Sequence, residues 1–214
     1  SLADVPVQGI TGITPDDISS AAQTGHVIKL LAIAEQRADD GEQPGLAVRV
    51  HPALLPLTHP LASVHGAFNA VFVEAEAAGT LMFYGAGAGG APTSSAVLGD
   101  VVAAARHRVT GGKAPSESRY AELAVLSNDQ VRARYQVRLE IVDEPGVLAE
   151  IATAVAGHGV SLEAVRQAAP AQGRASLVIV THEASESALA ATVATLSTLE
   201  PVVEITSVLR VEGT

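Results

Sequence analysis

The sequence predicts an α+β protein whose two halves differ in organisation. Three observations carry this reading. Up to about residue 109, strand-like and helix-like segments alternate without a fixed repeat. The stretch VTGGKAPSES, 109–118, combines Gly, Pro and Ser with no apolar period, which is linker composition. Beyond it, apolar spacing switches cleanly between the strand and helix periods in the order βαββαβ. The expected organisation is a mixed-sheet region over 1–109, a linker over 110–130 and a second domain over 131–214.

In the first half, Thr14-Pro15-Asp16-Asp17 is a helix start. Thr14 can cap, Pro15 suits the first helical position and the acids favour the positive end of the helix dipole. That helix runs to about Gly25. HVIKLLAIA, from His26 to Ala34, reads as a strand, RADDGEQPG as a turn, and LAVRVHPALL as a second strand. THPLASVHGAFN connects to a hairpin of Asn69–Glu76 with Gly79–Tyr84. Thr93 to Arg108 then reads as a helix with Val97, Val101 and Ala105 on one apolar face.

In the second half, Tyr135, Val137, Leu139 and Ile141 alternate with Gln136, Arg138 and Glu140, a strand with one buried face. Asp143-Glu144-Pro145-Gly146 breaks it. Val147, Leu148, Ile151 and Val155 follow helical spacing, and Gly157 to Gly159 ends that helix. Val160–Gln167 is a strand. Ala175–Thr181 is another, apolar on both faces. Leu189, Val193 and Leu196 mark a helix, and Val203, Ile205 and Leu209 a last strand. This order is the ferredoxin-like arrangement, with two helices on one face of an antiparallel sheet.

Composition narrows the function classes. Apolar residues make up 48% of the 214, enough for a core, with aromatics only 3%. The net charge is −10, and residues 1–109 (5 basic, 10 acidic) and 110–214 (8 basic, 13 acidic) each carry −5. Neither half offers a basic face, so neither nucleic acid nor an anionic membrane is an expected partner. No apolar run is long enough to span a bilayer, and no leader is in view. The absence of cysteine excludes disulfides and thiolate chemistry, and a cytoplasmic location is expected. The strand-like opening SLADVPVQGITGIT reads as the interior of a longer protein.

Gly85, Gly87 and Gly90 satisfy G-x-G-x-x-G between an apolar run and a helix. A dinucleotide fingerprint also needs a second strand after the helix, ending in an acid. Here the helix runs into the linker, and the preceding strand belongs to a hairpin. The Rossmann reading fails. Two readings stay open: a tight strand-to-helix turn, or a glycine surface for a ligand ahead of a helix N-terminus at Pro92-Thr93.

GITGIT at 9–14, HPLASVHGAFNAV at 59–71 and GAGAGGAPTSSAVLGD at 85–100 together resemble homoserine dehydrogenase. The second half resembles an ACT domain, an amino-acid-binding regulatory module. The resemblance covers essentially the whole chain and has an actinobacterial style. It implies NAD(P)-dependent interconversion of L-aspartate 4-semialdehyde and L-homoserine, toward threonine, isoleucine and methionine. In the family, a Rossmann domain and a catalytic acid and lysine precede the equivalent of GITGIT. Here the lysines are Lys29, on a strand after GITGIT, and Lys113, in the linker, so neither occupies that position. The resemblance thus implies a C-terminal half with no catalytic residues, inactive alone and holding no NAD or NADP tightly.

Carried over residue by residue, the resemblance places Gly89 at the nicotinamide end of the cofactor. It also makes Asp143, Gly146, Val147 and Leu148 an allosteric loop, with L-threonine the expected effector and the ACT sheets pairing in a homodimer or tetramer. Gly146 lets the backbone approach the ligand, and Asp143 is placed to accept from its ammonium; the alternative is a capped turn with no ligand. His59 reads as a turn cap before Pro60 or as an interface residue. His51 and His65 read as surface or interface residues, with no metal site. A stand-alone ACT-type module without catalysis is the alternative, but it has no use for the 85–100 motif.

Overall fold

The computed structural model describes residues 5–37, 44–112, 123–127, 131–167 and 173–213. In chain order the elements are α1 (Pro15–Gln23), β1 (His26–Arg37), β2 (Gly45–Pro56), a 3-10 turn (Pro60–Ser63), β3 (Phe68–Ala75), β4 (Gly79–Ala86), α2 (Gly90–Thr110), β5 (Ala124–Val125), β6 (Arg132–Val142), α3 (Val147–Gly157), β7 (Leu162–Gln167), β8 (Arg174–Thr181), β9 (Ala184–Ser185), α4 (Glu186–Leu196) and β10 (Val202–Val211). They form two compact units, 1–56 with 123–214, and 57–122.

The sequence expectation places a linker over 110–130. Of that linker, 113–122 and 128–130 lie outside the described residues, and the described part contains β5, paired in parallel with β2 at Gly45 and Leu46. In the first half, β1 and β2 join the βαββαβ strands in one mixed sheet, and β3 and β4 form a separate pair. The resulting sheet has the order β1-β2-β10-β6-β8-β7, with β5 on β2 and β9 on β6. β2 meets β10 in parallel at Ala53 and Leu54; β10, β6, β8 and β7 run antiparallel. Between β5 and β10, the same edge of β2 receives residues 6–8: Gln8 N donates to Val50 O at 2.8 Å, and Val50 N to Pro6 O at 3.0 Å. Three short pieces in tandem therefore satisfy backbone groups that an open edge would leave unpaired.

The βαββαβ part follows the sequence closely. Tyr135, Val137, Leu139 and Ile141 of β6 and Leu177 and Ile179 of β8 pack beneath Ile151 and Val155 of α3 and Leu189 and Leu196 of α4. Burying each such aliphatic side chain contributes roughly 1.5–3 kcal/mol. The other sheet face is not left to solvent. Ala21 of α1, Leu54, Leu209 and Val211 form a second cluster there, with Ile13, Ile28 and Val180 against it.

Charged contacts fix α1 on that face. Thr14 and Asp17 form a capping box: Asp17 N donates to Thr14 Oγ1 at 3.2 Å, and Thr14 N donates to Asp17 Oδ2 at 2.8 Å. The buried Asp17 carboxylate also accepts from Arg138 Nη2 of β6 at 2.8 Å, and Arg138 Nε donates to Thr206 Oγ1 at 3.0 Å. On β2, Arg49 is 4% exposed and bridges Glu35 of β1 (3.0 Å) and Glu212 beyond β10 (2.9 Å). His51 corrects the sequence expectation of a surface or interface residue. It is 1% exposed, its ring facing Pro52 O at 3.1 Å and Glu212 Oε1 at 3.4 Å. The inward face of β2 and the position of Glu212 draw it inside.

The second unit holds the 3-10 turn, the β3–β4 hairpin paired from Phe68↔Ala86 to Ala75↔Gly79, and α2. Phe68 and Tyr84 stack with ring centroids 4.9 Å apart. Helix α2 begins three residues earlier than expected and ends at Gly111 in the left-handed conformation. It has no buried residue. Val97, Val101, Val71, Phe83 and Tyr84 are all exposed, a concentration of apolar surface of the kind that marks interfaces.

The Asp17 carboxyl is held below the ordinary aspartate pKa of about 3.9. Burial pushes it up, but the hydrogen bonds from Thr14 and Ser207 and the Arg138 charge outweigh that. Its contribution to stability is therefore fully present above the unfolded value and is lost as pH falls through the lower folded value. Asp17→Ala is expected to cost about 3 kcal/mol at neutral pH, from the broken partly buried pair and the lost cap. Urea unfolding should show the gap to the unsubstituted chain narrowing as pH falls below the ordinary aspartate value.

Candidate functional site

Two backbone features present amide groups to their surroundings, one in each unit. The first is the glycine turn between β4 and α2. Gly89 is the residue before α2, with φ +125°, a conformation that L side chains rarely adopt. No side chain caps this helix start, so the first amides of a 21-residue helix have no side-chain partner there. The glycines differ in what a side chain would meet. A Cβ on Gly87 would lie 2.1 Å from Asn69 Nδ2, so Gly87 serves close packing within the turn, where its N also donates to Ala67 O at 2.8 Å. Gly85 and Gly90 face open space. The tight-turn reading of the motif fits Gly87.

The second feature is the loop from Asp143 to Leu148. Gly146 has φ +97° and stands directly before α3, whose N-terminus also lacks a side-chain cap. Asp143 N donates to Gly173 O at 3.1 Å, and Asp143 Oδ1 accepts from Gln167 Nε2 at 3.1 Å. Val147 is buried in the helix-side core, and Leu148 points out at 44% exposure. The loop therefore joins one anchoring side chain, one open amide end and one carboxylate that a neighbouring strand orients.

Of the histidines, His59 caps the 3-10 turn: Leu61 N donates to its Nδ1 at 3.2 Å. Its ring also packs on Phe72 at 4.7 Å. His65 is exposed. Among the described residues, no cluster of three His, Asp or Glu side chains could hold a metal, and no helix is long and apolar enough to cross a membrane. Sequence reasoning missed the polar face of β6 as a contact surface. Gln136 is buried there at 6% exposure, and Arg138 is tied to α1. The available signal was β8, apolar on both faces, since a two-faced strand needs cover on each side.

Comparison with known proteins agrees with this architecture. Residues 1–102 match the homoserine dehydrogenase family and residues 135–201 the ACT domain. Homoserine dehydrogenase of Corynebacterium glutamicum is 51% identical over 209 residues, 98% of this chain and 47% of that protein. That of Mycobacterium tuberculosis is 51% identical over 216 residues, 99% of this chain and 49% of that protein. The crystal structure of a homoserine dehydrogenase from Thiobacillus denitrificans superposes with a TM-score of 0.86 at 33% identity, covering 99% of this chain and 48% of that one. The chain spans about half the length of the curated relatives it matches. With its glycine turn inside the first match, this chain is similar over nearly its whole length to about half of a homoserine dehydrogenase, and the region that matches the ACT domain follows the region that matches that family.

Proposed function

We propose that this chain is the C-terminal portion of an NAD(P)-dependent homoserine dehydrogenase, which interconverts L-aspartate 4-semialdehyde and L-homoserine. Within it the chain supplies one wall of the cofactor site, assembly surfaces, and amino-acid control through the ACT domain. The observation that carries the first role is Gly89 at φ +125° ahead of an uncapped helix. A glycine in that conformation at a bare helix start is suited to the close approach of a polar ligand. The cofactor supplies the hydride; the chain's part is to shape the space beside it, with Gly89 leaving room that a side chain would fill. No catalytic acid or lysine is assigned to these residues. Hydride transfer needs cofactor and aldehyde held together in reactive geometry, so the chain alone is inactive in this reading.

The regulatory role rests on the 143–148 loop. The α3 amides take the carboxylate of an amino acid, Asp143 accepts from its ammonium, and Gly146 allows the approach. L-threonine is the effector on this reading, and it acts by binding one conformation or assembly better than another. The exposed apolar surface of β3, β4 and α2 and the free edge of β7 are the surfaces for a homo-oligomer.

Three measurements test the proposal. An NAD(P)H-coupled assay of the 214-residue chain with homoserine should show no turnover above background, and turnover would refute the assignment. In the whole enzyme, Gly89→Val should raise KM for the cofactor by about tenfold or more, equal to about 1.4 kcal/mol of binding, with threonine binding unchanged. Isothermal titration of threonine should give a saturable heat that Gly146→Val abolishes; no heat at millimolar ligand would remove the regulatory role.

A further inference from the structure

The helix-free face of the βαββαβ sheet holds a cavity of about 140 Å³ beneath the end of α1. Its floor is set by cross-strand register. Gln136 of β6 pairs with Val180 of β8, which pairs with Ala164 of β7; in the next row Arg138, Val178 and Arg166 follow the same order. All but Arg138 line the cavity, and Thr24 and His26 close it from the α1–β1 turn. Arg138 is withdrawn into its pairs with Asp17 and Thr206.

Three features make this more than a packing gap. Gln136 is more than nine-tenths buried, yet its side-chain amide has no hydrogen-bond partner among the described residues. The amide is not among the buried side-chain atoms left without a partner, so it keeps accessible surface in the cavity, where a donor and an acceptor are open to a polar ligand. The cavity is also balanced in charge except at one place. Arg134 and Glu163 pair through Nε at 3.0 Å and Nη2 at 2.5 Å, which leaves Arg166, with no ion pair among the described residues, as the excess cation. His26 uses Nδ1 on Thr24 O at 2.7 Å, which leaves Nε2 for a ligand. Finally, Val178, Val180 and Ala164 give the space an apolar wall, and its volume is close to the roughly 150 Å³ that accommodates a six-carbon ring.

We infer that this cavity binds a small carboxylate of amino-acid size, its carboxylate on Arg166 and the Gln136 amide and its short side chain on the valine wall. An α-amino group would meet the remaining carboxylate oxygen of Glu163. The site is separate from the 143–148 loop and stands whether or not that loop binds threonine. Because it bridges α1 and the ACT strands, occupancy tightens the junction between the two family regions.

Amide-resolved NMR titration of the 214-residue chain with L-alanine, L-threonine and propionate tests this. Saturable shifts of the Gln136 side-chain amide and the Ala164, Val178 and Val180 backbone amides are expected with at least one probe. Arg166→Met, at an exposed position, should weaken that binding at least fivefold, and Asp143→Asn should leave it unchanged. Tighter binding of L-alanine than of propionate assigns the ammonium to Glu163; equal binding assigns recognition to the carboxylate alone. Gln136→Leu should abolish binding while preserving or raising Tm, the opposite of what a purely structural glutamine would give. The inference is overturned if no probe gives saturable shifts at these residues, if shifts are confined to 143–148, or if Arg166→Met has no effect.

Discussion

A buried arginine holds the first unit together. Arg49 stands on β2 at the point where the regions matched by the two family models share one sheet, and its guanidinium is shut away from water. A buried cation is stable only when its partners are present and oriented, and the planar guanidinium can serve two carboxylates at once. Glu35 comes from β1, and Glu212 from the residue after β10. The Glu212 carboxyl titrates below its ordinary range: burial pushes it up, but the nearby His51 ring and the Arg49 contacts outweigh burial. Once these groups are in place, β2 is fixed beside β10, α1 lies across the open sheet face, and Asp17 reaches Arg138. The cavity above Gln136 exists because that face is covered.

The functional features fall on different parts of this frame. The glycine turn belongs to a unit with little buried surface of its own, in which α2 has no buried residue. Its apolar side chains on β3, β4 and α2 stay exposed. The 143–148 loop and the sheet-face cavity sit instead on the well-packed unit, at opposite faces of one sheet. Rigid strands are good places for small-molecule recognition, because their side-chain positions are set by register rather than by loop conformation.

Much of this was legible in the residues. The alternation at 135–141, the helical spacing at 147–155 and the Thr14-Pro15-Asp16-Asp17 start all led to the elements found, because each is a local pattern with a local cause. The glycine motif was legible as an exception: the strand and acid missing after it excluded the Rossmann reading. Long-range pairing was not legible. Nothing near residue 50 announces that β2 will be completed by residues 6–8, β5 and β10 in turn. The same blindness put His51 on the surface, since its burial depends on Glu212, more than a hundred and sixty residues away in the chain. It also hid the role of Arg138, which alternation assigned to solvent and α1 covers.

Native-state hydrogen exchange measured along a denaturant series tests most directly the claim that β1, β2 and the ACT strands form one cooperative unit. Amides of β2 should open together with those of β6 and β10, with one free energy and one denaturant slope, while amides of β3, β4 and α2 exchange earlier. If β1 and β2 open with the 57–122 unit while β6 and β10 stay protected, the shared sheet is not a folding unit and the account of the junction fails.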